Sequence, residues 1–246
     1  RHLPSVMTIG EPLHYFLKMK SIHKHYSIMK NKTYKPKKIG LKWYFIIYLA
    51  TNFLYKIGFE SPWLFIISIS IAVSIFMINR TRVKNFKKAI EECKENLSKI
   101  NNLYTLSQYS VSALDVEDEG LKCMLAQLIK EKAKITPLAT ISLNAPIAKG
   151  RACLFTGKMK KIPHKMVNGE KVLLWDKAES VSVYVFNNAL EWMSDTKHDT
   201  KSFQNILQIS INESGNLVSI LLRGNNGMLH FKGNNAIVLA NILARL

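Results

Sequence analysis

The chain has 246 residues, 48% of them hydrophobic, and a formal net charge of +18 with only 17 acids. So few acids argue against a two-carboxylate or magnesium centre. Cys93, Cys123 and Cys153, an odd and widely spaced set without a C-x-x-C pair, argue against zinc and against a disulfide framework. Three buried or idle thiols is the simplest reading, with one disulfide and a spare thiol left open.

Residues 1–40 form a basic arm, in which Arg1, Lys18, Lys20, Lys24, Lys30, Lys32, Lys35, Lys37 and Lys38 stand against one acid, Glu11. Its opening stretch has no apolar run of the kind a secretory signal needs. Basic and poor in acids, it has the character of the tail of an organelle transit peptide, so import followed by cleavage is the expectation. Strongly basic chains bind nucleic acid, anionic lipid or acidic protein surfaces. The aromatics among the lysines ("HYFLKMKSIHKHY") would also suit RNA, but lysine outnumbers arginine, the better bidentate reader. The "HKH" at 23–25 has no acidic or thiol companion and is not assigned a metal.

Two apolar segments follow. The second, from Pro62 to Asn79, carries no charge and reads "PWLFIISISIAVSIFMIN". As a helix it reaches about 27 Å at 1.5 Å per residue, close to the ~30 Å hydrocarbon core. It is too long for a strand despite its β-branched residues. Pro62 suits a first helical turn and Trp63 an interfacial belt. The first segment, 41–59, is shorter between Lys42 and Lys56, but both lysines can snorkel, and Trp43, Tyr44, Tyr48 and Tyr55 suit the interface. A transmembrane helical hairpin over 41–59 and 62–79 is predicted, turned at "GFESP". Thr51, Asn52, Ser68, Ser70 and Ser74 are candidates for interhelical contacts.

Cations flank the hairpin on one side. Lys35, Lys37, Lys38 and Lys42 precede it, and Arg80, Arg82, Lys84, Lys87 and Lys88 follow it, whereas the turn holds only Lys56 and Glu60. Positive-inside bias places both ends on the same side, the matrix side in a mitochondrial inner membrane. These nine residues are the candidate contacts for anionic headgroups such as cardiolipin or for a partner, at around 1 kcal/mol per well-placed cation.

Residues 81–136 read as a helical connector. Val83, Phe86, Ile90, Leu97, Ile100 and Leu103 recur near helical spacing, and Leu121, Met124, Leu125 and Leu128 form a second stripe after the acidic break "SALDVEDEG". Glu91 and Glu95 with Lys94 and Lys99 read as a solvated ion-pairing face.

From 137 to 246 the pattern is that of an α+β domain, an antiparallel sheet of five to seven strands closed by a C-terminal helix. The strand candidates are "ATISL", "RACLFTG", "KVLLW", "ESVSVYVF", "NILQISI", "NLVSILLR" and "MLHF". Positive φ is expected in "VNGE", "NESGN" and "RGNNGM". "NNALEWMSDTK" is expected to be a short helix or loop, with His198 in a polar loop beside Asp195 and Asp199. Asn234 or Asn235 can cap a helix whose Ile237, Ala240, Ile242 and Leu243 pack on the sheet.

No nucleotide-binding, nucleophile-elbow or metalloprotease motif occurs in the chain. A non-enzyme without cofactor or metal is the expectation. The order of transmembrane segment, helix, "ISLNAPIAKGRACLF" and then "SVSVYVF" and "ILQISINESGNLVSILL" resembles the cytochrome-oxidase assembly-factor-one family over roughly 121–231. That family includes an accessory subunit of the mitochondrial presequence translocase. The short proline-and-glycine segment, Ala145–Pro146–Ile147 and Gly150, carries the likeness. The resemblance implies an inner-membrane assembly or accessory role in a hetero-oligomer. It also implies one span with the domain in the intermembrane space, whereas a hairpin leaves the domain in the matrix. The alternatives are a membrane-tethered RNA-binding or mitoribosomal protein, a membrane-bound enzyme, or a lipid-binding module.

Overall fold

The structure, a computed structural model, describes residues 34–36, 38–56, 62–143, 151–168, 170–224 and 227–246. Among the described residues five α-helices and nine strands follow one another: α1 Leu41–Lys56, α2 Pro62–Lys99, α3 Leu103–Ala113, α4 Glu119–Ile135, β1 Cys153–Lys161, β2 His164–Val167, β3 Glu170–Leu173, β4 Glu179–Phe186, β5 Ala189–Met193, β6 His198–Ser202, β7 Ile206–Ile211, β8 Leu217–Leu222, β9 Met228–Lys232 and α5 Ala236–Leu243. The architecture is α+β. A seven-stranded antiparallel sheet, in the order β6-β5-β4-β1-β9-β8-β7, is covered on one face by helices, and β2-β3 is a separate hairpin.

α2 joins two segments that were each expected to be helical. The apolar segment and the start of the connector are one unbroken helix of 38 residues, about 57 Å long. Nothing between Asn79 and Lys88 breaks it, since that stretch holds neither proline nor glycine. Its far end turns amphipathic and buries Phe86, Cys93 and Leu97. Two side-chain caps start the helices that follow. Asn102 accepts from the Thr105 N–H at 2.8 Å, and Asp118, from the acidic break, accepts from the Leu121 N–H at 2.8 Å. Arg245 donates to the Thr136 carbonyl at 2.6 Å and so caps the end of α4 with a cation.

The 81–136 region shares one core with the sheet. Leu97, Ile100, Leu103, Leu106, Leu125 and Ile129 belong to the same buried cluster as Phe155, Val183, Leu190, Val218, Ile220 and Phe231 of the sheet. The α4 stripe is rotated from the expected one: Leu125 is buried with Ala126, Ile129 and Ala133, while Leu121 and Leu128 pack at its border. α5 is apolar except for Asn241 and buries its seven other residues, as a helix packed on several sides must. Each large side chain taken fully out of water here contributes roughly 1.5–3 kcal/mol.

Two glycines are required by geometry. A Cβ on Gly157 would overlap the Asn235 amide, which lies over β1. Gly215, at φ +70, turns β7 into β8 directly against Ile237. Positive φ also occurs at Asn168, Gly224 and Gly227, in the turns where it was expected.

Four strand-level expectations are corrected. "NNALEWMSDTK" holds β5 and the turn into β6, because Leu190 and Trp192 pair with Val185 and Val183 and are buried with them. That cross-strand burial overrides the helix propensity of Ala, Leu, Glu and Met. His198 accordingly lies in β6, not in a loop. "ATISL" forms only a single bridge, Ile141 to Cys153. "KVLLW" ends as a strand at Leu173, and Trp175 enters a 3₁₀ turn. At the last helix Asn235 holds the cap position without a side-chain hydrogen bond, and Asn234 instead donates to the Val111 carbonyl at 3.0 Å.

Candidate functional site: an unburied apolar helix pair with a cationic collar

Among the described residues, α1 and the first half of α2 are apolar and pack on nothing but each other. α1 buries no residue, and Leu41, Phe45, Phe53, Phe65, Ile69 and Phe76 are among its and α2's exposed side chains. Ile69 keeps 63% of its surface open. One helix among the described residues is long and apolar enough to cross a membrane, over Phe65–Lys99, with a mean hydropathy of 1.5 in its most apolar window and none of that window buried. α1, with 16 residues, spans about 24 Å and falls short of that length. Residues 57–59, which were expected to extend it, lie outside the described residues.

The two helices meet antiparallel at three levels. Asn79 closes one end, its Oδ1 accepting from the Ile39 N–H at 2.8 Å and its Nδ2 donating to the Ile39 carbonyl at 3.2 Å. Midway, the Thr51 and Ser68 hydroxyls hydrogen-bond to each other. At the other end the Tyr55 and Phe65 rings pack edge to face with centroids 6.1 Å apart. Of the polar residues proposed as interhelical contacts, Thr51 and Ser68 meet. Asn52, Ser70 and Ser74 bond back to the carbonyls of Tyr48, Ile66 and Ser70 in their own helices, satisfying themselves without a neighbour.

Lys35, Lys38 and Lys42 on the α1 side, and Arg80, Arg82, Lys84, Lys87 and Lys88 on the α2 side, are all exposed. Lys37 lies outside the described residues. The Asn79–Ile39 clamp sets Lys38 and Arg80 at one level, because each neighbours a clamped residue. From Arg80 to Lys88 the cations continue about 12 Å along α2, and no acid appears before Glu91. An apolar pair thus ends at a band of positive charge. The clamp itself escaped sequence reading, since Asn79 looked only like the last uncharged residue before Arg80.

Polar chemistry elsewhere is sparse. Glu191 is buried in β5, where both carboxylate oxygens take hydrogen bonds from Arg151, and His198 Nε2 stands 3.0 Å from Oε2. Burial acts to raise the Glu191 carboxyl, but Arg151 and then His198 outweigh it and hold the group below its ordinary value. The Arg151 guanidinium also lies 3.9 Å over the Phe186 ring. Ser219 Oγ and His230 Nδ1 are 2.8 Å apart on adjacent strands, and burial, with His164 and Lys171 nearby, pushes the imidazole down to about 4. Among the described residues His230 Nε2 has no hydrogen-bond partner, so none of them supplies the orienting third member of a catalytic triad. Cys93, Cys123 and Cys153 are buried and form no disulfide among the described residues, and desolvation raises the thiols of Cys93 and Cys153, away from nucleophilic thiolates. Among the described residues no three His, Cys, Asp or Glu side chains converge on a metal-sized site. The "HKH" at 23–25 lies outside them.

Compared with known proteins, the chain matches no family model and no curated sequence.

Proposed function

We propose that this chain is a non-catalytic, membrane-anchored accessory or assembly subunit of a mitochondrial inner-membrane complex, a respiratory one. The observation that carries the reading is the apolar α1–α2 pair, exposed on its outer faces and continuous through α2 with the core of the α+β domain. In water such a surface is unfavourable by about 25 cal/mol per Å². In lipid, or against other membrane helices, it is at rest. The clamp at Asn79, the Thr51–Ser68 contact and the single-sided collar support a two-span anchor with both ends on the matrix side. Lys42 and Lys56 snorkel to make up the shorter length of α1. The collar then lies against anionic headgroups such as cardiolipin, and the domain contacts a hydrophilic arm of the partner. The mitochondrial placement rests on the acid-poor arm and on the resemblance over 121–231, which also supports a presequence-translocase accessory role.

Blue-native electrophoresis of mildly solubilised source membranes, with mass spectrometry of the band holding this chain, tests the proposal. Constant stoichiometry with respiratory subunits is the expected result for a resident subunit, and substoichiometric association for an assembly or import factor. Co-migration with ribosomal proteins, or recovery in the soluble fraction after carbonate extraction, overturns it.

A further inference from the structure

The two edges of the seven-stranded sheet are built differently. β6 ends one side with His198, Asp199 and Lys201, and Asp199 is paired to Lys161 at 3.6 Å. Charges on an edge strand are how proteins keep other strands from adding. β7 ends the other side with "ILQISI", which has no charge and no proline.

The pairing shows what β7 offers. Asn212 N–H donates to the Leu217 carbonyl at 3.0 Å, and residues along an antiparallel strand alternate between facing the partner and facing away. Ser210 and Gln208 therefore face β8, opposite Ser219 and Leu221. Ile209 and Ile211 turn their N–H and C=O groups outwards, and no strand among the described residues takes them. Their side chains, with Ile206, reach the core cluster but are only partly buried. Leu207, at a bulge in the ladder, remains 49% exposed.

We infer that β7 is a docking edge for an extended segment of a different protein, added as an eighth strand. Backbone hydrogen bonds at Ile209 and Ile211 would hold it. Its chemistry follows from the two faces of β7: apolar, β-branched residues at alternate positions to finish the burial of Ile209 and Ile211, and polar residues between them beside Gln208 and Ser210. A second copy of this chain is the wrong occupant, because two chains of +18 each repel. The inference stands on the sheet alone and does not depend on where the apolar helices sit.

Residue-resolved hydrogen exchange tests it, on the full chain in its solubilised native assembly and on the same chain alone in lipid nanodiscs. The Ile209 and Ile211 amides are expected to exchange at least about tenfold more slowly in the assembly, with Ser210 unchanged between the two. Leu207→Lys, at an exposed position the fold tolerates, is expected to abolish that protection and leave Ser210 protected. A photo-crosslinker at Leu207 is expected to join an uncharged alternating segment of another protein, and one at Thr200 on β6 is not. Equal exchange in both states overturns the inference. So does protection that rises with chain density in nanodiscs, or an adduct to a second copy or to residues 1–33 of the chain itself.

Discussion

The two halves of α2 share one backbone and follow opposite rules. From Trp63 to Ile78 large apolar residues point in every direction and stay exposed, among them Phe65, Ile66, Ile67, Ile69 and Val73. From Phe86 to Leu97 apolar residues return at helical spacing, face the core and are buried, while Lys87, Lys88, Glu91 and Lys94 face water. A helix apolar all round needs an apolar surrounding, whereas an amphipathic one needs a core on one side and water on the other. The difference teaches that the change at Asn79 and Arg80 is a change of side-chain pattern, not of fold. Because the helix does not break there, whatever holds the first half is mechanically joined to the domain.

The largest expected effect lies on the water side of that comparison. Ile129→Ala, at a fully buried position in the core cluster that helices and sheet share, should lower unfolding free energy by ~2–5 kcal/mol in denaturant melts of the full chain in nanodiscs. A loss below ~1 kcal/mol would mean that the helices only lean on the sheet. On the other side, Val73→Asp should leave the melting of the domain unchanged and cost ~2.5–3.5 kcal/mol of apparent membrane insertion in a glycosylation-reporter assay. Insertion equal to wild type would break the comparison, since both halves would then tolerate charge alike.

The Glu191 cluster sharpens the contrast by pH. Its folded carboxyl is held below the ordinary value of 4.5, so it contributes stability above that pH and loses it as pH falls through the folded value. Wild type should therefore show an acid limb of declining stability that Glu191→Gln flattens, with the helical content of α1 unaffected. An unchanged acid limb in the variant would remove Glu191 from the account. The smallest effect is expected inside the apolar helix pair. Thr51→Val deletes the hydroxyl contact with Ser68 and should weaken α1–α2 association by only ~0.6 kcal/mol, read by energy transfer between dyes on the two helices in nanodiscs. A loss above ~2 kcal/mol would show that hydrogen bonding, not packing in lipid, holds the pair.

Much of the domain was legible because its signals are local. Period-two runs marked β4, β7 and β8, glycine and asparagine marked the turns, and "DVEDEG" supplied the Asp118 cap. The β5-β6 hairpin was not legible, since "ALEWM" is helix-favouring in isolation and becomes a strand only because Val183 and Val185 wait beside it. Of the candidate site, the cations and the apolar run were plain to read. The Asn79 clamp was hidden, because its partner Ile39 is forty residues away in sequence.

By itself the sequence determined what depends on neighbours along the chain: the uncharged run from Pro62 to Asn79, the basic residues on both sides of the apolar segments, the α+β order and the turn positions. Only the tertiary structure decided what depends on contacts distant in sequence. These are the continuity of α2 into the core, the strand order that leaves β7 at an edge, the burial of Glu191 between Arg151 and His198, and the clamp that brings Lys38 level with Arg80. The reason is that hydrophobic burial and hydrogen bonding act through space, so a residue's role is settled by whatever the folded chain sets beside it.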